Sequence, residues 1–331
     1  MTGNGLIPGT GLVPGTGLIL DGGLATELQR AGWSVAAPWW TTGVLRSPAG
    51  RRAVLDVHQR YVAAGADVLT ADTFRCNPSS TAAAGLDPDC ARRLIRTAVG
   101  LARAAAGDRV LVAGSLAPVA DCYRPDLVPD DDWLRREHGW TAAELAAAGV
   151  DVVLVETMNT VREAVIALEA VLATGRPAWV SVVCADGPWL LSGEPLAGAA
   201  RTLRAHGAGA VLVNCTTLTD TDKCIEVLSR APWGIFGAYP NIEDRSAISK
   251  WTHVDRYVPA DTGPATFARR VARWRTSLGA GLIGGCCGTS PAHLTALRRL
   301  LGHPAPVPVP AQSAVPTCRG KESVDEQSHT G

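Results

Sequence analysis

Between residues 18 and 284, eight short aliphatic runs recur: 18–20, 67–71, 110–113, 151–155, 179–183, 210–213, 234–237 and 281–284. Each is continuously apolar rather than alternating, the pattern of strands covered on both faces. Stretches rich in Ala, Leu and Arg lie between them, as at 49–64, 88–106, 133–148, 160–173, 195–205 and 265–278, and predict helices. A repeated phrase marks the junctions. Ala64-Gly-Ala-Asp67, Ala148-Gly-Val-Asp151, His206-Gly-Ala-Gly209 and Gly279-Ala-Gly281 each read as a helix-ending glycine followed at once by a strand. Eight strands with intervening helices predict an α/β chain folded as one (β/α)8 TIM barrel over 17–302. A doubly wound open sheet is the alternative. Against it, Asp21-Gly-Gly-Leu24 after the first run is not the Gly-rich phosphate loop such a sheet carries there.

The flanks lack this rhythm. Residues 1–16 hold a tandem repeat, Gly5-Leu-Ile-Pro-Gly-Thr10 and Gly11-Leu-Val-Pro-Gly-Thr16, too rich in Gly and Pro for regular structure. Residues 303–331 are Pro-rich, then polar and charged. A flexible leader and a disordered tail are expected, because neither segment buries enough apolar surface to offset its ordering entropy.

Composition narrows the function classes. The 331 residues carry a formal net charge of zero, which gives no long-range pull toward nucleic acid or anionic membranes and favours a small-molecule partner. No apolar run approaches the ~20 residues of a membrane span, and no basic region precedes an apolar one as in a secretory signal. The nine cysteines are odd in number and scattered, unlike a disulfide framework. A reducing cytoplasm is expected, where clustered cysteines hold metals or catalyse.

In a barrel of this kind chemistry gathers at the C-terminal strand ends. The runs end in Asp21-Gly22-Gly23, Asp72-Thr73-Phe74-Arg75, Gly114-Ser115, Glu156-Thr157, Cys184, Asn214-Cys215-Thr216, Tyr239-Pro240-Asn241 and Gly285-Cys286-Cys287-Gly288. Ser115, Thr157 and Thr216 read as caps for the helices that follow. The cysteine pair does not. Adjacent strand residues face opposite ways, so Cys286 and Cys287 reach one ion only if the chain turns sharply, as Gly284, Gly285 and Gly288 allow. Cys215 is the natural third thiolate. Three Cys ligands leave one tetrahedral position of zinc open, the mark of a catalytic site, and soft thiolates favour zinc over magnesium or calcium. The competing reading is three small buried hydrophobes. His293 is expected to be exposed on a helix, Cys184 to line the core, and Cys76, Cys90, Cys122, Cys224 and Cys318 to be bystanders. Three thiolates on a dication suit deprotonation of a bound thiol, with sulfur nucleophilicity kept, better than activation of water; alkylation of a thiol is expected.

Six motifs resemble, in order, those of the homocysteine S-methyltransferases: Asp21-Gly-Gly-Leu-Ala-Thr-Glu-Leu28, Thr70-Ala-Asp-Thr-Phe-Arg75, Val155-Glu-Thr-Met158, Val213-Asn-Cys-Thr216, Tyr239-Pro-Asn241 and Gly284-Gly-Cys-Cys-Gly-Thr289. The resemblance covers nearly all of residues 18–300. It implies a barrel with zinc on Cys215, Cys286 and Cys287. It implies that Asp21 and Glu156 hold the amino group of homocysteine, with Gly22, Gly23 and Asn214 also at the substrate. The product would be methionine. Two departures bear on the donor. The aromatic cage of the betaine-dependent members is not reproduced, since Arg75 follows Phe74, and no cobalamin or folate module is expected after the barrel. A small methyl-sulfonium donor remains, S-methylmethionine or S-adenosylmethionine. Trp39 and Trp40 could face it, although ordinary packing is the stronger expectation for them. The loop 241–259 reads as a lid, and residues 121–126 as a wall of the acceptor pocket. The alternatives are another thiol or selenol acceptor, or a non-catalytic zinc- or thiol-binding barrel.

Overall fold

The computed structural model describes residues 17–37, 40–230, 234–248 and 256–302. The leader, the tail, Trp39, Cys318 and residues 249–255 of the expected lid lie outside the described residues.

The eight aliphatic runs form eight strands: β1 (Leu18–Ile19), β2 (Val68–Ala71), β3 (Leu111–Leu116), β4 (Val152–Met158), β5 (Ala178–Val182), β6 (Ala210–Thr217), β7 (Ile235–Asn241) and β8 (Leu282–Ile283). All neighbours are parallel, each strand beside the next in sequence, and β8 returns to β1. A parallel bridge between Leu20 and Val68 closes the ring, with Asp67 N–H donating to the Ile19 carbonyl at 2.7 Å. The chain is a (β/α)8 barrel.

Two cores explain why the runs are continuous. Leu20, Val68, Val152, Leu154, Trp179, Leu212 and Leu282 point inward and fill the barrel. The residues between them, such as Val153, Val155, Val180, Val211 and Val213, point outward under the helices. Both faces of each strand are therefore apolar.

The ten helices are α1 (Leu24–Arg30), α2 (Pro48–Ala64), α3 (Pro78–Ala83), α4 (Pro88–Ala106), α5 (Asp131–Ala147), α6 (Val161–Leu172), α7 (Leu196–Ala205), α8 (Leu218–Ser229), α9 (Pro264–Leu278) and α10 (Pro291–Leu300) among the described residues. Side chains of Ser47, Asn77, Asp87, Asp130, Thr160 and Thr217 accept N–H groups of the first turns that follow them. Capped by Asp130, α5 starts at Asp131, two residues before the predicted boundary. Gly65, at φ 100°, ends α2 and feeds β2 as its phrase predicted. No described helix is long and apolar enough to cross a membrane.

One core group is unexplained by packing alone. His58 of α2 is fully buried, and neither ring nitrogen has a hydrogen-bond partner among the described residues. Burial lowers its pKa from 6.5 to about 4. The unfolded chain then takes up a proton first, so stability is lost as pH falls from about 6.5 toward 4. His58→Leu is expected to lower the midpoint of acid unfolding, followed by circular dichroism from pH 7 to 3; an unchanged midpoint would show that His58 plays no part in acid unfolding.

Candidate active site

Two strands carry the same irregularity at the mouth of the barrel. β4 pairs with β5 up to Val155 and again at Met158, with a register shift between. β6 pairs with β7 up to Asn214 and again at Thr217, again with a shift. Each shift holds a residue in the left-handed region that is not glycine: Thr157 at φ 60° and Cys215 at φ 49°. Bulges of this kind re-aim side chains beside functional sites, and such backbone costs of order 1–3 kcal/mol. Here Glu156, Thr157 and Cys215 come to line one cavity.

Asn214 ties the two bulges together. Its Oδ1 accepts from Thr157 N–H (3.1 Å) and from the Ser181 hydroxyl (2.7 Å), and its Nδ2 donates to Thr157 Oγ1 (2.8 Å). It is fully buried and is not among the residues that line the cavity. These three bonds fix its amide between the two bulges. Ser115, Thr157 and Thr216 are not helix caps either. Ser115 donates to Glu156, Thr157 is bonded to Asn214, and Thr216 Oγ1 accepts from Cys184 N–H at 2.9 Å. The caps are Thr160 and Thr217, one to three residues later.

The cysteine pair sits on a turn held from both sides. Cys286 N–H donates to the Pro240 carbonyl and Ile242 N–H to the Cys287 carbonyl, both at 3.0 Å, so the chain leaving β8 follows the end of β7. Gly288, at φ 82°, lets the chain reverse. From the other side, Gly288 N–H donates to Thr26 Oγ1 at 2.9 Å, and its carbonyl accepts from Arg30, which is paired with Glu27. Thr289 Oγ1 accepts from Gly23 N–H at 3.1 Å and donates to the Cys286 carbonyl. Gly23 has to be glycine, because a Cβ there would lie 2.8 Å from that carbonyl.

The turn brings three thiols together. The sulfurs of Cys215, Cys286 and Cys287 all lie within 4.8 Å of one another, with 2.9 Å between Cys215 and Cys286 and 3.9 Å between Cys286 and Cys287. Among the described residues this is the one group of three or more His, Cys, Asp or Glu placed to hold an ion. Contact with the Cys286 sulfur, then burial, holds Cys215 well above the usual thiol pKa; contact with Cys215, then burial, does the same for Cys287. Cys122, set aside in the sequence, is buried near enough to Cys215 to add to that rise. Residues 121–126 do not line the cavity.

Two carboxylates share the cavity with the thiols. Asp21 follows β1 and is 5 % exposed. Its oxygens accept from Thr70 N–H (2.8 Å) and the Thr70 hydroxyl (2.9 Å). Burial raises its pKa to about 7 against those bonds, with the nearby Glu156 adding to the rise. Glu156 accepts from the Ser115 hydroxyl and from the Tyr239 hydroxyl (3.0 Å), and burial raises its pKa also. Gly22 and Gly23 complete the wall between Asp21 and the cysteine turn. The cavity has a volume of about 90 Å³.

His293 corrects another expectation. It is buried; its Nδ1 accepts from Ser290 N–H at 3.1 Å, and its Nε2 lies 3.0 Å from the Thr262 carbonyl. It closes the start of α10 and stays away from the thiols. Cys184 is buried in the core, as expected.

The family model for homocysteine S-methyltransferase matches residues 18–301. The chain belongs to the homocysteine S-methyltransferase family. It is similar to the homocysteine S-methyltransferase of Escherichia coli (strain K12), 32 % identical, with 84 % of this chain and 93 % of the relative covered. The homocysteine S-methyltransferase 4 of Zea mays is 31 % identical, covering 84 % and 87 %. Among solved structures, the metallated form of the homocysteine methyltransferase MmuM from Escherichia coli superposes with a TM-score of 0.73 at 28 % identity, covering 86 % of this chain and 97 % of that one. As a member of this family the chain is an enzyme, a homocysteine S-methyltransferase, and its barrel and thiol-bearing strand ends are those the six motifs led one to expect.

Proposed function

We propose that the chain transfers a methyl group from a small methyl-sulfonium donor, S-methylmethionine or S-adenosylmethionine, to the thiol of homocysteine, with zinc on Cys215, Cys286 and Cys287. The observation that carries this reading is the meeting of three thiols and two buried carboxylates on one cavity.

The residues fit zinc. All three donors are soft, and all three line the cavity, so one side of the cluster faces the space a substrate would occupy. Tetrahedral zinc with Zn–S near 2.3 Å sets its sulfurs about 3.8 Å apart, in keeping with thiols lying within 4.8 Å of one another. Thiols held this far above their usual pKa stay protonated until a cation draws the protons off. The solved metallated form of MmuM supports a metal in this family. When bound, zinc would keep an acceptor sulfur deprotonated and still nucleophilic at neutral pH.

The chain's own residues supply the rest. Asp21 and Glu156 bind the acceptor's ammonium, so its thiol lies toward the cysteines. Gly22 and Gly23 leave room for that approach. The acceptor sulfur forms its new bond to the methyl carbon as the donor S–C bond breaks, the electron pair staying on the donor sulfur. The acceptor proton leaves to solvent. Donor sulfonium and acceptor thiolate become two neutral thioethers, so an apolar wall that excludes water favours the step.

A selenol is the second acceptor reading. The selenocysteine Se-methyltransferase of Brassica oleracea var. italica is 27 % identical over 85 % of this chain. The test is to incubate the zinc-loaded protein with homocysteine, selenocysteine or cysteine and with each donor, and to assay products by mass spectrometry. Methionine formed fastest from homocysteine is the expected result. A faster selenol would reassign the acceptor, and no methylated product from any pair would leave only a binding role.

A further inference from the structure

The cavity has a further acidic corner, apart from the carboxylates assigned to the acceptor. Asp72, just past β2, lines the cavity and is 3 % exposed. Its Oδ1 accepts from the Thr41 hydroxyl, but its Oδ2 has no hydrogen-bond partner among the described residues. The nearby Arg75 does not answer it: that guanidinium donates to the carbonyls of Pro118 (3.3 Å) and Ala120 (2.9 Å). A buried carboxylate with an empty lone-pair side is costly unless something binds there. Burial raises its pKa to about 7, with only the Thr41 bond opposing. Asp21 and Glu156 take no part in that shift, so Asp72 is a separate point of charge.

The same corner carries two aromatic rings. Trp40 and Phe74 both line the cavity with ring centroids 4.7 Å apart. Trp40 is held at φ 46°, a conformation a bulky residue adopts only under constraint. A carboxylate beside aromatic faces selects a cation.

We propose that Asp72 binds the α-ammonium group of the methyl donor, which makes the enzyme selective for amino-acid sulfoniums. This rests on the sulfonium-donor reading above. The ammonium is assigned to Asp72, rather than the sulfonium, for a kinetic reason. The sulfonium charge vanishes as the methyl leaves, so a carboxylate against it would hold the ground state more tightly than the transition state and slow transfer. The ammonium charge persists throughout, and binding it aligns the donor without that penalty. The weaker pull of a ring suits the charge that disappears; Trp40 is the ring for it, since the Arg75 guanidinium already stands 5.1 Å from the centre of Phe74.

The test compares two donors with homocysteine as acceptor: S-methylmethionine, and (2-carboxyethyl)dimethylsulfonium, which lacks the ammonium. The wild type should favour S-methylmethionine in kcat/KM by about tenfold or more. Asp72→Asn should raise the KM for S-methylmethionine about ten- to a hundredfold, with kcat and the homocysteine KM nearly unchanged and the KM for the second donor unmoved. An unchanged homocysteine KM also shows that the variant is folded. The assignment of Asp72 is overturned if the wild type does not distinguish the donors, or if Asp72→Asn leaves both donor KM values alone or raises them equally. A wild type that takes a methyl from neither donor overturns this inference, and one that also takes none from S-adenosylmethionine overturns the sulfonium reading itself.

Discussion

Replacing Cys286 by alanine is expected to empty the thiol centre and stop methyl transfer while leaving the barrel folded. The side chain is half-buried at the cavity wall, and its loss removes one sulfur from a group whose members lie within 4.8 Å of one another. Two thiols on a mouth open to solvent hold a dication far less well than three. Metal analysis of the purified variant should show well under one zinc per chain. Activity should fall by about 10³-fold or more, because acceptor thiolate formation and alignment are lost together. Circular dichroism should remain that of the wild type. A variant that kept both its zinc and its rate would remove this centre from the reaction. Dialysis of the wild type against a chelator should give the same loss, restored by zinc.

The second large effect concerns Asp21. Asp21→Asn is expected to raise the homocysteine KM by about 10²-fold and to leave the donor KM alone, since a buried ammonium would lose one of its two carboxylates. Two further signs separate this from a folding defect. Burial, opposed by Thr70, puts the Asp21 pKa at about 7 before substrate binds. Below that pH a proton competes with the ammonium, so the wild-type homocysteine KM should climb about tenfold per unit as pH falls below 7. The variant should lose most of that dependence. Stability moves the other way. A folded pKa above the unfolded 3.8 means that the ionised group destabilises the fold, fully above pH 7 and not at all below about 3.8. Asp21→Asn should therefore melt a few degrees higher than the wild type at pH 8 and about equally at pH 4. A lower melting point at pH 8 would contradict this account of Asp21.

How far the sequence carries depends on where a feature's cause lies. The strands were legible because burial on both faces writes itself as an unbroken aliphatic run, as in β4. The three cysteines were legible because a Cys-Cys pair between glycines has few structural uses. The partners of the carboxylates were not. Thr70 reaches Asp21 from 49 residues away, and Tyr239 reaches Glu156 from 83. Register between strands sets these pairs, and no local pattern records it. Asn214 shows the same limit in reverse. Its place beside Cys215 suggested a substrate contact, and nothing local announced its bonds to Thr157, 57 residues before it. His293 was misread as exposed because its helix face gives no hint of the Thr262 carbonyl 31 residues before it. Asp72 was visible as a strand-end acid, but only the cavity shows that one of its oxygens is unpartnered.

The turn that carries Cys286 and Cys287 is latched by Thr26 and Arg30, which lie 262 and 258 positions before the group they hold. Contacts of that span form late, after loop closure has been met all round the barrel. A nascent chain emerging from the ribosome accordingly carries Asp21, Glu156 and Cys215 long before the turn of Cys286 and Cys287 can be latched. The first helix cannot hold that turn until the last strand has been made.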